Sequence, residues 1–216
     1  MKSTVILGAG GFAREVLDIL LAQNGVSKQH EILGFIDENP AMKGRILNGY
    51  PVLGAFDWFA SKDQGAIHAV CGIGSPVQRK KVVTEAGEMG LRFCNVIHPT
   101  AVLTPFVSLG VGVVITAGTI LTNQIVIGSH VHINLGATIG HDCVIEQFCT
   151  IAPGVHLSGN VKLGIGVDVG TGAVIIQGCS IGNWTVIGAG AAVIEDLPDH
   201  VTAVGVPARV VKDRRP

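Results

Sequence analysis

A histidine and an aspartate that adjoin in the chain, His141 and Asp142, form the pair best suited to chemistry. A neutral imidazole accepts a proton near pH 7, and a neighbouring carboxylate orients the ring and stabilises its protonated form. Asn123 precedes His141 by eighteen residues, and Gly159 follows it by the same interval. If the fold stacks residues at this interval, Gly159 leaves space beside the imidazole and exposes a backbone N–H for an oxyanion. The alternative is a surface histidine on a corner.

A glycine-rich segment near the N-terminus forms the second candidate site. Residues 8–13 read Gly-Ala-Gly-Gly-Phe-Ala, which is a permitted form of the nucleotide-binding fingerprint between a strand and a helix. Backbone N–H groups at a helix N-terminus can approach a phosphate closely. Asp37 and Glu38 follow the second apolar segment and could accept hydrogen bonds from ribose hydroxyls. A tight turn that binds nothing is the alternative.

A repeat of six residues predicts the element that positions His141. Steps of six from Ile97 to Val193 meet Ile, Leu or Val at 17 consecutive positions, and the residue four further on is always small or apolar. This period fits neither a helix nor a plain strand, but it is typical of a hexapeptide β-helix. Three hexads make an eighteen-residue coil, so residue n stacks on residue n+18.

The same register separates core side chains from reactive ones. Cys143, Cys149 and Cys179 occupy the small inward position, so we expect them to fill the core. Reactive groups must stand at outward positions. The other histidines within the coils, His130, His132 and His156, do not bring a third imidazole to a shared metal within one subunit, although a trimer could still bring histidines together across an interface.

The segments before the repeat alternate between strand and helix patterns. We expect strands at Thr4–Leu7, Glu31–Ile36, Ala66–Cys71 and Leu91–Val96, and helices over Arg14–Leu21 and from Ser75-Pro76 to about Met89. The chain therefore predicts a Rossmann-like α/β domain over residues 1–96, followed by an all-β parallel β-helix with a C-terminal tail over residues 97–216. Only the first mononucleotide-binding half is evident, which favours a mononucleotide with a group attached over NAD.

The composition is unusually apolar, with 48% hydrophobic residues, 14% charged residues and a mean hydropathy of +0.50. No charged residue stands between Phe93 and His141, which raises the question of a membrane span near residues 107–127. The hexad pattern answers it, because Gly, Thr, Asn and Gln occupy outward positions there. We therefore expect no membrane span.

The charges and cysteines exclude other classes. Lys and Arg number 15 against 16 Asp and Glu, so no basic face for nucleic acid is expected, and Arg79-Lys80-Lys81 reads as the solvent side of a helix. Five cysteines without a C-x-x-C motif, and a start at Met1-Lys2-Ser3 without a secretory signal, predict a cytoplasmic protein.

These motifs together resemble one known family. They are the glycine turn, Ile97-His98-Pro99, the hexad array with Gly140-His141-Asp142, Ser158-Gly159-Asn160-Val161 and the closing Val204-Gly205-Val206-Pro207-Ala208-Arg209. In this combination they are similar to sugar O/N-acyltransferases of the NeuD/PglD type. The resemblance covers essentially the whole chain. It implies homotrimers of left-handed β-helices with active sites between subunits, acetyl-CoA as co-substrate, and no metal.

The resemblance also implies roles for individual residues. His141 corresponds to the catalytic base, Asp142 to its acidic neighbour, and Gly159 to the donor for the acetyl carbonyl. Contacts to acetyl-CoA are implied for Thr150, where some members have a histidine, and for the backbone of Thr171 and Ala189. Contacts to the nucleotide-sugar are implied for Gly10, Gly11, Phe12, Asp37, Glu38 and Gly74, with Phe12 replacing a histidine of some members.

The implied reaction is N-acetylation of a nucleotide-linked 4-amino-sugar, such as a bacillosamine or perosamine precursor, by direct transfer. Three alternatives remain open on the sequence. The same base and donor would serve O-acetylation of a sialic-acid-type sugar. A solenoid carbonic anhydrase with a zinc that bridges the trimer usually shows two histidines five apart plus a third far upstream, and no two histidines here have that spacing. A nicotinamide-binding regulator would use the glycine loop and keep the solenoid as a scaffold.

Overall fold

The computed structural model describes residues 1–214. Contacts divide them into two units, the first over Met1–Pro99 and the second from Thr100 onward. The sequence placed the boundary between residues 96 and 97.

The first unit is an α/β domain around one twisted sheet. In chain order its elements are β1 (Lys2–Leu7), α1 (Gly11–Val26), β2 (His30–Ile36), β3 (Ile46–Leu47), β4 (Tyr50–Gly54), β5 (Ile67–Cys71), α2 (Pro76–Glu88), β6 (Arg92–Phe93) and β7 (Val96–Ile97). Short 3-10 helices lie at Pro40–Met42, Phe56–Ser61 and Gln64–Ala66. The sheet order is β3-β4-β2-β1-β5-β6, with β4, β2, β1, β5 and β6 parallel and β3 antiparallel to β4. A strand order that reverses at β1 leaves a crevice at the carboxyl ends of the strands, where α/β sheets bind ligands.

Three local expectations for this unit need correction. Helix α1 begins at Gly11 and continues to Val26, beyond both expected ends. The last expected strand, over residues 91–96, is interrupted and forms β6 and β7. Arg79, expected on the solvent side of α2, is fully buried, because it shares a helix face with the buried Pro76, Val83 and Ala86.

The second unit is a β-helix of two- and three-residue strands. They are β8 (Val102–Leu103), β9 (Val107–Leu109), β10 (Val114–Ile115), β11 (Ile120–Leu121), β12 (Ile125–Ile127), β13 (His132–Ile133), β14 (Thr138–Ile139), β15 (Val144–Ile145), β16 (Thr150–Ile151), β17 (His156–Leu157), β18 (Lys162–Leu163), β19 (Asp168–Val169), β20 (Val174–Ile175), β21 (Ser180–Ile181), β22 (Val186–Ile187), β23 (Ala192–Val193), β24 (Val201–Val204) and β25 (Arg209–Asp213). From β8 to β20 each strand pairs in parallel with the third strand after it, so its residues lie against those eighteen positions on, as in Val114 with His132 and Thr150 with Asp168. At the C-terminal end β24 pairs in parallel with β22 at a separation of sixteen residues, and β25 is antiparallel to β24. The predicted coil length is confirmed.

The strands form three sheets that share one core. Sheet I contains β10, β13, β16, β19, β22, β24 and β25; sheet II contains β8, β11, β14, β17, β20 and β23; sheet III contains β9, β12, β15, β18 and β21. The inward residues Ile115, Ile133, Ile151 and Val169 of sheet I are fully buried. Each such side chain stabilises the fold by about 1.5–3 kcal/mol. Cys143, Cys149 and Cys179 are buried too, which confirms their place in the core.

From Gly112 to Gly190, each corner of the coil contains one residue in the left-handed region. The positions recur every six residues from Gly112 (φ 69°) to Gly190 (φ 66°), and non-glycine residues such as Asp142 (φ 60°) and Asn160 (φ 59°) take some of them. Glycines directly after an inward aliphatic residue have a different purpose. A Cβ on Gly140 would lie 2.8 Å from the Gly159 nitrogen, so these glycines allow neighbouring coils to approach closely.

Candidate active site

His141 and Asp142 form a close pair on an exposed corner of the β-helix. The His141 Nδ1 lies 2.7 Å from the Asp142 Oδ2, and the two side chains are 63% and 51% exposed. The corner follows β14 of sheet II and precedes β15 of sheet III. A carboxylate on Nδ1 fixes the tautomer in which Nδ1 bears the hydrogen and Nε2 is left as the proton acceptor.

The neighbouring coils hold this pair in position through the backbone. The Asp142 N–H donates to the Asn123 carbonyl at 3.0 Å, and the His141 carbonyl accepts from the Asn160 N–H at 2.8 Å. The left-handed conformation of Asp142 turns its carboxylate back toward the imidazole of the preceding residue. Aspartate tolerates this conformation better than most side chains.

Gly159 lies directly against the imidazole in the next coil. A Cβ on Gly159 would lie 2.6 Å from both Cε1 and Nε2 of His141, so only glycine leaves room for the ring as placed. Within residues 1–214 the Gly159 N–H makes no hydrogen bond, although the N–H groups of Ser158 and Asn160 on either side do. An unused N–H beside a proton acceptor can stabilise a developing oxyanion.

The residues implied for acetyl-CoA fall at two different places. Thr171 and Ala189 are exposed on the corner that precedes sheet II, eighteen residues apart, and within the described chain neither N–H makes a hydrogen bond. Sheet II therefore joins their corner to the corner of His141. Thr150 instead lies on β16 of sheet I and is 8% exposed. One chain brings together His141, Asp142 and Gly159, but it does not bring Thr150 to them.

The other histidines of the coils are arranged differently. His132 is fully buried and aligns with Thr150, while His130 is 7% exposed and its ring stacks on Phe148 at 5.6 Å. His156 is exposed on sheet II, with its Nδ1 2.7 Å from the Thr138 Oγ1. Among residues 1–214, no three His, Cys, Asp or Glu side chains lie close enough to share a metal ion.

The cysteine nearest to this corner is buried in the core and does not face His141. The Cys143 thiol, next to Asp142 in the chain, points inward and donates to the Ser158 carbonyl at 3.1 Å. Burial raises the pKa of the Cys143 thiol, and it raises those of Cys71 and Cys94 to about 11. These thiols therefore stay protonated near neutral pH and are poor nucleophiles.

The second candidate site is a cleft in the first unit at the carboxyl ends of its strands. Its lining includes Gly8, Asp37, Glu38, Phe56 and Ile73, and it encloses about 440 Å³ open to solvent. Helix α1 begins beside it at Gly11, and its N-cap Gly10 supplies no side-chain acceptor to the first turn. Backbone N–H groups at a helix N-terminus attract phosphate.

The two carboxylates of the cleft also accept hydrogen bonds from backbone N–H groups. Asp37 accepts from the Ala9 N–H at 2.8 Å and from the Asn39 N–H at 3.0 Å. Glu38 accepts from the Phe56 N–H at 3.0 Å. Asp37 therefore fixes the glycine loop, in addition to any contact that it makes with a ribose. Phe56 and Ile73 were not expected from the sequence, because no periodic pattern marks side chains that loops bring to a cleft.

The remaining implied substrate contacts, Gly10, Gly11, Phe12 and Gly74, are not among the residues that line the cleft, although they follow its lining residues Gly8 and Ile73 closely in the chain. Gly10, Gly11 and Gly74 are exposed, and Phe12 is half-buried at the first turn of α1. A Cβ on Gly10 or Gly74 would meet nothing within 4 Å, so their surfaces are open.

These features define a hexapeptide-repeat β-helix preceded by an α/β unit with a glycine loop, and known proteins have both units. Residues 4–86 match the PglD N-terminal domain model. GDP-perosamine N-acetyltransferase of Escherichia coli O157:H7 is 30% identical over 217 residues, which span 96% of this chain and 95% of that protein. The chain belongs to the sugar O/N-acyltransferases of the NeuD/PglD type.

Solved structures agree over the full length. A histidine-to-asparagine variant of perosamine N-acetyltransferase from Caulobacter crescentus, in complex with CoA and GDP-perosamine, superposes with a TM-score of 0.91 at 35% identity, covering 99% of this chain and 98% of that one. The acetyltransferase domain of PglB from Neisseria gonorrhoeae, in complex with acetyl coenzyme A, gives a TM-score of 0.88 at 29% identity, covering 97% and 99%. The expected fold and family are confirmed. Among the described residues, no helix has the length and apolar character to cross a membrane.

Proposed function

We propose that this protein transfers an acetyl group from acetyl-CoA to the amine of a nucleotide-linked 4-amino-sugar. The observation that carries the proposal is the His141–Asp142 pair against the unused N–H of Gly159. The full-length similarity to enzymes of this kind, one of them in complex with CoA and GDP-perosamine, supports it. GDP-perosamine is therefore the first substrate to test.

In the proposed mechanism the sugar amine attacks the thioester carbonyl directly. The Nε2 of His141 accepts the amine proton as the C–N bond forms, and Asp142 stabilises the resulting imidazolium. The Gly159 N–H donates to the carbonyl oxygen while it carries negative charge. The tetrahedral intermediate then expels the CoA thiolate, which the imidazolium can protonate, and the amide product leaves. Protonated core thiols agree with a route that has no acyl-enzyme.

We assign the two substrates to different parts of the chain, acetyl-CoA to the β-helix and the nucleotide to the first unit. The backbone of Thr171 and Ala189, exposed beside sheet II, would hold the CoA arm. The cleft lined by Asp37, with Gly10 and Gly74 close to its lining residues in the chain, would hold the nucleotide. These roles, and the division into a nucleotide-sugar domain over residues 1–96 and an acetyltransferase domain over residues 97–216, are part of the proposal.

We further propose a homotrimer with active sites between subunits. Thr150 can reach His141 only from another copy, because the two lie on different sides of one coil. Apolar side chains are exposed in the charge-free stretch, including Val102 (56%), Phe106 (60%) and Ile120 (42%). Light scattering after size-exclusion chromatography tests the trimer, and a monomer that is fully active would contradict the shared site. None of the five cysteines forms a disulfide, which supports a cytoplasmic location.

The decisive experiment measures CoA release with a panel of acceptors. GDP-, UDP- and dTDP-linked 4-amino-sugars represent the proposed class, and sialic acids represent O-acetylation. We expect turnover only with amino-sugars, and we expect His141→Ala to abolish it while acetyl-CoA binding persists. Turnover with a sialic acid alone would favour the O-acetyl alternative, and full activity of His141→Ala would remove the base from the mechanism.

A further inference from the structure

A buried arginine supports the back of the nucleotide cleft. Arg79 is fully buried on α2, unlike Lys80 and Lys81, which are exposed. Its Nη1 donates to the Ile73 carbonyl at 3.0 Å and to the Gly74 carbonyl at 2.8 Å. Burying a guanidinium is costly unless its hydrogen bonds are made, so these two bonds fix the turn firmly.

The turn that Arg79 holds is packed tightly against the glycine loop. A Cβ on Gly72 would lie 2.5 Å from the Ala13 Cα in the first turn of α1, and a Cβ on Gly8 would lie 3.0 Å from the Ile73 side chain. The Gly72 N–H also donates to the Leu7 carbonyl at 2.8 Å. Movement of residues 72–74 would therefore move the start of α1 and the wall of the cleft together.

The two bonds also set the direction of the following amides. Both peptide bonds are trans, so each N–H points opposite to the carbonyl of the same peptide unit. Because Arg79 draws the Ile73 and Gly74 carbonyls toward itself, the N–H groups of Gly74 and Ser75 are directed away from the guanidinium. Gly74 and Ser75 are exposed, and Ile73 beside them lines the cleft, so a shift of this turn would change the surface of the cleft.

We propose that Arg79 is a positioning residue for the nucleotide end of the sugar substrate. It acts through the backbone of Ile73 and Gly74 and does not touch the substrate itself. This inference rests on the proposed function, because it assigns Arg79 to the nucleotide cleft of that enzyme. It also gives a purpose to an arginine whose burial the sequence did not predict.

The test compares Arg79→Met with Lys81→Met, which removes an exposed cation from the same helix. Calorimetry measures GDP and acetyl-CoA binding separately, with UDP and dTDP as parallel probes. We expect Arg79→Met to weaken binding of the preferred nucleotide about tenfold, which corresponds to the loss of one oriented hydrogen bond. We expect acetyl-CoA affinity to stay within about twofold, the KM for the nucleotide-sugar to rise, and kcat at saturation to persist. Lys81→Met should match the wild type.

Arg79→Lys keeps the buried cation and tests the inference if Arg79→Met does not fold. It should weaken nucleotide binding by less than Arg79→Met, and measurably, because an ammonium lacks the fixed fork of a guanidinium. Wild-type nucleotide affinity in either folded variant would overturn the inference, as would an equal loss of nucleotide and acetyl-CoA affinity. A wild type that binds none of the three nucleotides would overturn the proposed function and the inference with it.

Discussion

Replacing Gly159 by alanine tests whether the imidazole of His141 must lie where the structure places it. The added methyl carbon would be 2.6 Å from Cε1 and Nε2, which is 0.8 Å inside the 3.4 Å at which ordinary contact begins. The ring is exposed and can swing away, but in doing so it would lose its 2.7 Å contact with Asp142. The backbone N–H at position 159 is retained in alanine.

The expected loss is in catalysis and not in folding. A displacement of this order in a catalytic group costs about 10²-fold in rate, so we expect kcat to fall by about that factor. Gly159 has no left-handed φ and the displaced side chain faces solvent, so the melting temperature should change by only a few degrees. Steady-state CoA release, acetyl-CoA calorimetry and a thermal melt measure the three quantities separately.

A double-mutant cycle with His141→Ala tests whether Gly159→Ala lowers kcat by displacing the His141 ring. If alanine at position 159 acts through the ring, it should add nothing once the ring is gone, and the double variant should equal His141→Ala. Wild-type kcat in Gly159→Ala would refute the proposed placement of the base. Independent, additive losses would instead show that position 159 acts by another route.

Three further predictions concern the neighbours of this site and one buried histidine. Asp142→Asn should tolerate the left-handed φ of 60° yet lower kcat about tenfold, whereas Asp142→Ala should also lose about 1 kcal/mol of stability, measured by denaturant unfolding. Cys143→Ser should keep activity within about twofold, with no acylated enzyme in mass spectra of quenched reactions, because its buried thiol has a raised pKa. His30, 4% exposed and 3.0 Å from the Thr4 Oγ1, has its pKa lowered by burial, then by Lys2 and His68. The contribution of His30 to the free energy of unfolding should therefore be fully present above pH 6.5. Below that pH it should fall by at most about 1.4 kcal/mol per pH unit. In urea titrations, the free energy of unfolding of His30→Gln should decrease less steeply on acidification than that of the wild type.

The solenoid was predictable from sequence because its core repeats without interruption. Each inward position must be apolar and each coil must have the same length. The period and register can therefore be read from the series of inward aliphatic residues, of which Ile133 and Ile151 are one stacked and buried pair. The stacking of Gly159 on His141 followed directly from that register, and it is confirmed. The left-handed hand of the coil came only from the family resemblance, since general crossover rules favour the opposite hand.

The first unit was less predictable because its cleft depends on loops. The glycine turn and the acidic pair were recognised, but the hydrogen bond from Ala9 to Asp37 requires knowledge of how β1 and β2 pair. Arg79 was misplaced because a basic triplet suggests a solvated face. The spacing of Pro76, Arg79 and Val83 along one helix face contained the correct signal.

At equivalent corners of the β-helix, the same backbone N–H is hydrogen-bonded in one place and available to a substrate in another. At the corner between sheets III and I, two of these N–H groups are capped by side chains of the next coil: Ser129 Oγ accepts from Val111 at 3.3 Å, and Asn183 Oδ1 accepts from Ile165 at 2.8 Å. The corresponding residue above Gly159 is Gln177, and within residues 1–214 it makes no such bond. The same N–H is therefore satisfied at a structural corner and left available at the corner of His141. Because the repeat fixes the backbone everywhere, the side chain eighteen residues later decides which corners can hold a reacting carbonyl.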